Sequence, residues 1–170
     1  VVGFDPIRFE KGALLTDAGG MKLIYHAIDT KNNMQLVWKE ASDHNGNNLE
    51  MCNERLRYEA DLLSRINHPR IPKMFASGKF VDSMGRSVEV MIEEFIPGST
   101  LSETLKQHDK TGATIPIDTI SSWMNAICEP LMHMYDTEGI WHRDLKPENI
   151  IVHDTSGPII IDLGIAKEEE

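Results

Sequence analysis

Cysteine is nearly absent from this chain: only Cys52 and Cys128 occur among 170 residues, with no C-x-x-C pair and no cysteine-histidine cluster. Neither a disulfide framework nor a zinc site is therefore indicated, and a reducing, cytoplasmic setting is the expectation. Basic charge is also scarce, with 17 lysines and arginines against 27 acidic residues and a formal net charge of -10. That balance opposes tight binding to nucleic acid or to an anionic membrane surface, so neither is expected as a partner. No apolar run approaches the ~18 residues needed to cross a bilayer, and the opening Val-Val-Gly-Phe-Asp-Pro lacks a basic stretch followed by an apolar one. No membrane segment or secretory leader is expected in the region covered. Repeats and low-complexity tracts are missing too, apart from the closing Glu168-Glu169-Glu170. The chain opens on valine rather than methionine, and the reading places it inside a longer protein.

What is present suffices for a core, since 41% of the residues are hydrophobic, and the length fits one domain or two small lobes. Apolar runs at Leu14-Leu15, at 23–28 and at 34–39 are separated by Asp17-Ala18-Gly19-Gly20 and by Asp29-Thr30-Lys31-Asn32-Asn33, which predicts an antiparallel meander. Cys52, Leu56, Leu63 and Ile66 recur at helical spacing up to His68-Pro69, which predicts a helix that stops before the proline. A strand over 88–92 ends at Ile96-Pro97-Gly98-Ser99, a hinge between two lobes. Trp123, Ile127, Leu131 and Met134 mark a second helix between Ser121 and Gly139, in which Pro130 is expected to cause a kink or a break. Two short runs, 150–152 and 159–161, form a hairpin joined by His153-Asp154-Thr155-Ser156-Gly157.

Glu59 lies within the apolar stripe of the first helix, with Leu56 and Cys52 three and seven positions before it and Leu62 and Leu63 three and four after. A carboxylate buried there without a cation would cost several kcal/mol, so a salt bridge is predicted, with Lys39 at the end of the neighbouring strand as partner. The rival reading rotates the helix and leaves Glu59 at the solvent border. Lys39 taken alone reads as a solvated head on an apolar stem.

Polar residues flank the late hairpin on both sides. His142-Arg143-Asp144-Leu145-Lys146-Pro147-Glu148-Asn149 precedes it and Asp162-Leu163-Gly164 follows. These runs resemble the catalytic loop and the magnesium-binding triplet of eukaryotic-like (Hanks-type) protein kinases, with leucine in place of the usual phenylalanine. Phosphoryl transfer needs a base toward the acceptor hydroxyl, oxygen ligands on the metal and cations on the phosphates, and those residue types are all here. A charged surface loop assembled by chance is the alternative, and the length of the match opposes it.

The resemblance implies an α+β fold of protein-kinase type. A small antiparallel-sheet N-lobe with one main helix would occupy residues 1–96, and a partial, mostly helical C-lobe residues 97–170, with the later helices absent. It implies ATP and Mg2+ as cofactors and a protein substrate. Asp144 would orient the acceptor and take its proton, Lys146 would touch the transferring phosphate, and Asn149 and Asp162 would hold Mg2+. Lys39, aligned by Glu59, would bind the α- and β-phosphates beside Asp162 and the metal. The hinge backbone at Glu94 and Ile96 would meet the adenine edge, Ile24 and Val37 would roof the ring and Ile151 would floor it. Arg143 would pair with a phosphorylated activation loop. The Lys146-Pro147-Glu148-Asn149 run resembles the serine/threonine version.

Two places depart from the family. Its three loop glycines align with Asp17, Gly19 and Lys22, so only the second is kept, with Gly20 beside it and Lys22 offering a cation; without the resemblance this is a hairpin turn. Glu93 falls at the gatekeeper, normally uncharged, or else one residue of slip puts Ile92 there. The chain ends soon after the metal triplet, so the face from Trp123 to Met134 would lack part of its cover and offer a surface for self-association. Three functional readings stand at this point: a serine/threonine kinase, a pseudokinase-like regulatory module, and a small-molecule phosphotransferase on a related fold.

Overall fold

The computed structural model describes residues 2–16 and 21–168. Asp17, Gly19 and Gly20, aligned above with the phosphate-covering loop, lie outside the described residues. The chain divides into two compact units, Val1–Ser64 with Lys73–Phe95, and Arg65–Pro72 with Ile96–Glu170.

The first unit is a six-stranded sheet with one long helix. Strands β1 (Val2–Gly3), β2 (Phe9–Thr16), β3 (Lys22–Asp29), β4 (Met34–Ala41), β5 (Met74–Val81) and β6 (Ser87–Glu94) are ordered β1-β5-β6-β4-β3-β2, and helix α1 spans Leu49–Arg65. All pairs are antiparallel except β1 with β5. The meander is as the sequence predicts, whereas β1 and β5 add to it. The 88–92 run does not alternate: Val88 to Glu93 are all buried, because β6 lies between β5 and β4 with both faces covered.

Successive residues of a strand point to opposite faces, so β4 serves two interiors at once. One face carries Leu36 and Trp38, packed with Phe9, Ala27, Ala76, Val88, Val90 and Ile92. The Phe4 ring meets Trp38 edge-on at 5.0 Å, and Gly78 permits this approach, since a Cβ there would lie 2.9 Å from Phe4 Cβ. Glu40, on the same face, is buried but satisfied by Lys11 Nζ at 2.9 Å and by Trp38 Nε1 at 2.8 Å. The other face carries Lys39. Where β3 turns into β4, the fully buried Asp29 accepts from Arg8 at 2.6 Å and from the Lys31 amide at 3.0 Å. The Arg8 guanidinium foremost holds that carboxyl below its ordinary range.

The second unit contains β7 (Ser99–Thr100), α2 (Leu101–Thr111), α3 (Ile117–Glu138), β8 (Ile140–Trp141), β9 (Ile150–His153), β10 (Gly157–Ile160) and β11 (Lys167–Glu168). Strands β10, β9 and β7 form one small sheet, β11 and β8 another. Ile127, Ile150 and Ile160 form a core with Leu101 and Leu131. Helix α2 begins with a capping box, Thr100 Oγ1 accepting from the Glu103 amide while Glu103 accepts from the Thr100 amide. Among the described residues no helix is long and apolar enough to cross a membrane.

One expectation for α3 needs correction, the break at Pro130. Pro130 does not break the helix, which runs on from Ile117 to Glu138 with the proline ring buried beside Ala126, Ile127 and Met134. Tertiary packing on that side outweighs the one main-chain bond that proline cannot donate to Ala126. Of the stripe expected to lack part of its cover, Ile127 and Met134 are buried and Trp123 and Leu131 half-buried. The exposed apolar residues of α3 are instead Ile117, Ile120, Met124, Met132 and Tyr135.

Gly98 joins β6 to β7 at φ 138°, where a Cβ would sit 2.6 Å from the Val152 carbonyl oxygen. Gly98→Ala is therefore expected to destabilise the protein by about 1–3 kcal/mol through backbone strain alone. Urea denaturation checks this, and an unchanged midpoint would refute it.

Candidate active site

The first unit gathers four charged side chains on one sheet face. Pairing of β3 with β4 sets Ile24 opposite Lys39 and Lys22 opposite Ala41, and pairing of β4 with β6 sets Val37 opposite Glu93 and Lys39 opposite Met91. Opposed residues share a face, and Glu93 is the diagonal neighbour of Lys39. Helix α1 lays Glu59 over them. Lys39 Nζ lies 2.9 Å from Glu59 Oε1 and 2.9 Å from Glu93 Oε1, and Lys22 Nζ lies 2.8 Å from Glu59 Oε2. Lys39, Glu59 and Glu93 are buried, at 3%, 2% and 5% exposure. The ion pair predicted from the α1 stripe is thus present, while the rotated helix and the solvated lysine are not. Burial pushes the Glu93 carboxyl up, against the downward pull of Lys39.

Ile24 and Val37 stand half-buried on this same face. Further along β6, the Glu94 amide donates to the Lys73 carbonyl and its carboxylate accepts from the Lys73 amide at 3.1 Å, which fixes the strand end. Phe95 rests against the His26 ring at 4.9 Å.

The second unit carries the other cluster. Asp144 Oδ2 accepts from Lys146 Nζ at 2.6 Å and from Asn149 Nδ2 at 3.0 Å, and Asn149 Nδ2 also donates to the Asp144 carbonyl at 2.9 Å. With the amide nitrogen so committed, the Asn149 side-chain oxygen is the atom left for a cation. Asp144 raises the Lys146 ammonium above its ordinary value. Asp162 accepts from the Gly164 amide at 3.0 Å, and Leu163 is buried at the phenylalanine position. Ile151, in β9 between them, is half-buried, as is Ile96 at the start of the unit.

A single residue joins the two polar runs through its main-chain groups. The Ile161 amide donates to the Asn149 carbonyl at 2.9 Å, and the Ile161 carbonyl faces His142 Nε2 at 3.3 Å. His142 Nδ1 meanwhile accepts from the Asp144 amide at 3.3 Å, so the ring carries its proton on Nε2. Burial lowers the His142 pKa and keeps the ring neutral in that role. Arg143 and Asp162 have φ of 65° and 67°, two of the three non-glycine residues in the left-handed region among those described, with Asn33 the third. Strain of this kind concentrates where function fixes the backbone.

Sequence reasoning missed the Lys39–Glu93 and Lys22–Glu59 pairs, because strand register was needed to bring them together. It also missed the Ile161 peptide, which has no side-chain signal.

The family description "protein kinase domain" matches residues 17–170. The chain is 31% identical over 162 residues to a probable serine/threonine-protein kinase WNK4 of Arabidopsis thaliana, covering 94% of this chain and 27% of that protein. It is 32% identical over 165 residues to a probable serine/threonine-protein kinase PknB of Corynebacterium glutamicum, covering 94% and 24%. To a serine/threonine-protein kinase Wnk of Drosophila melanogaster it is 30% identical over 161 residues, covering 94% and 6%. The chain spans about a quarter or less of the length of these relatives.

Proposed function

The chain belongs to the protein kinase domain family, and on that premise we propose that the protein transfers the terminal phosphoryl group of Mg-ATP to serine or threonine hydroxyls of protein substrates. The observation that carries this reading is the arrangement around Asp144. Its Oδ2 is engaged by Lys146 and Asn149, which aims the carboxylate and leaves Oδ1 to orient an acceptor hydroxyl and take its proton. Lys146, bound to Asp144 before substrate arrives, is placed to follow the charge of the transferring phosphate.

The donor set fits magnesium. Asn149 offers an amide oxygen and Asp162 a carboxylate, both hard ligands, and Mg2+ is ordinarily held by one or two carboxylates together with substrate phosphates. Substrate phosphates and water would supply the remaining ligands. The bound ion would neutralise charge on the phosphates. Lys39, held by Glu59, is read as the cation for the α- and β-phosphates, with Ile24, Val37 and Ile151 as apolar contacts for the base and the Glu94 and Ile96 backbone as its hydrogen-bonding edge. We read residues 1–96 as the N-lobe and 97–170 as the C-lobe. We read the compartment as reducing and cytoplasmic, on the scarcity of cysteine in the sequence.

The test is a melting curve with Mg-ATP. Ligand at about a hundred times its dissociation constant stabilises by ~2.7 kcal/mol, a rise of several degrees. Asp162→Ala is expected to abolish the magnesium-dependent part. If millimolar Mg-ATP leaves the parent protein's melting temperature unmoved, the nucleotide reading fails.

A further inference from the structure

Glu93 is the feature that the proposed reaction does not require. Its carboxylate and that of Glu59 each lie 2.9 Å from the same ammonium, Lys39 Nζ, and Lys22 takes the other oxygen of Glu59 at 2.8 Å. Two cations and two carboxylates make the set neutral. A cluster of Lys39 and Glu59 alone would be neutral too, so Lys22 and Glu93 form a matched addition to it.

We propose that Glu93 is a positioning residue which holds part of the Lys39 ammonium and so sets the affinity for nucleotide phosphates, with Lys22 as its compensating charge. This rests on the reading of Lys39 as a phosphate-binding cation. A phosphate oxygen approaching Lys39 meets the Glu93 carboxylate as a like charge, in a setting buried enough for that repulsion to be poorly screened. The phosphate must share Lys39 with Glu93 or displace it, and either course weakens binding.

A proton on Glu93 would remove the repulsion. The charged groups facing it are Lys39 from β4, Glu59 from α1 and Lys22 from β3, while its opposite residue on β5, Met74, is uncharged. Because burial favours the neutral carboxyl, affinity rises as pH falls from above the raised Glu93 pKa to below it.

The experiment titrates MgADP into the protein across mildly alkaline to mildly acidic pH, with melting curves showing that each variant is folded. Glu93→Gln keeps the contact with Lys39 and removes the charge. It is expected to bind about tenfold tighter at the alkaline end, the size of a one-unit pKa coupling, and to lose most of the pH dependence. Lys22→Met is expected to weaken binding by a similar factor, and the double variant to return toward the parent value because its cluster is again neutral. In the transfer assay Glu93→Gln should move KM for ATP and leave kcat nearly unchanged. If it fails to fold, Glu93→Met takes its place.

An affinity for Glu93→Gln equal to or weaker than that of the parent, or a pH slope that persists, overturns the proposal. Lys39→Met combined with Glu93→Met tests the underlying reading separately. If that protein binds MgADP as tightly as Glu93→Met alone, Lys39 is not the phosphate cation and both ideas fall. If it loses binding while Glu93→Gln changes nothing, only the role of Glu93 falls.

Discussion

Asp144→Ala is expected to slow phosphoryl transfer by about a thousandfold while leaving nucleotide affinity nearly unaltered. The loss falls on chemistry because the loop has other anchors. Asn149 Nδ2 keeps its 2.9 Å bond to the Asp144 main-chain carbonyl, His142 keeps the Asp144 amide, and Lys146 is half-exposed and can turn to water. Melting temperature should therefore change little. Initial rates of label transfer from ATP to a generic serine- or threonine-containing protein, at saturating nucleotide, measure the effect. A loss smaller than tenfold would mean that another group takes the proton and that Asp144 is mainly a hydrogen-bonding hub.

Lys39→Met is expected to have the largest effect on stability. It leaves Glu93 and one oxygen of Glu59 buried without the ammonium now 2.9 Å from each. Removing one partner of a buried ion pair costs about 3–5 kcal/mol, because the carboxylates lose the ammonium while staying out of water, although Glu59 keeps Lys22. For a protein of this length that lowers the melting temperature by roughly 10 °C. Adding Glu93→Met should recover a large part of the loss, since it removes the stranded carboxylate. Calorimetry of the parent, single and double variants reads this directly. A drop of under about 2 °C in the single variant would show that Lys39 is not the counter-charge of this interior.

The parts of the fold with strong local signals were readable from the amino-acid order. The Asp29 to Asn33 turn predicted the β3–β4 hairpin, and the stripe around Glu59 predicted both α1 and a cation above it. Helix α2 went unread although Thr100 and Glu103 spell a capping box, a signal that sits directly in the sequence. Strand β5 gave less warning. Its half-exposed residues and Gly78 follow no clean two-residue period, because one face takes Phe4 through a gap that only glycine leaves. Pro130 misled because local propensity argued for a break, while burial of its ring against the unit's interior keeps the helix whole. The catalytic loop was legible because its chemistry is encoded in eight consecutive residues. Glu93 was flagged only as an oddity. Its partnership with Lys39 depends on Val37 standing opposite it, and that information resides in the pairing of β4 with β6 rather than in either strand alone.

The main chain at Ile161 bears on how Asp162 is held. The N–H and C=O of this residue, on the two peptide groups that flank its Cα, are held by the Asn149 carbonyl and by His142. The stretch that begins at Asp162 therefore starts from a residue tied by two hydrogen bonds to the segment from 142 to 149. A displacement of Asp162 away from Asn149 would have to break these two bonds.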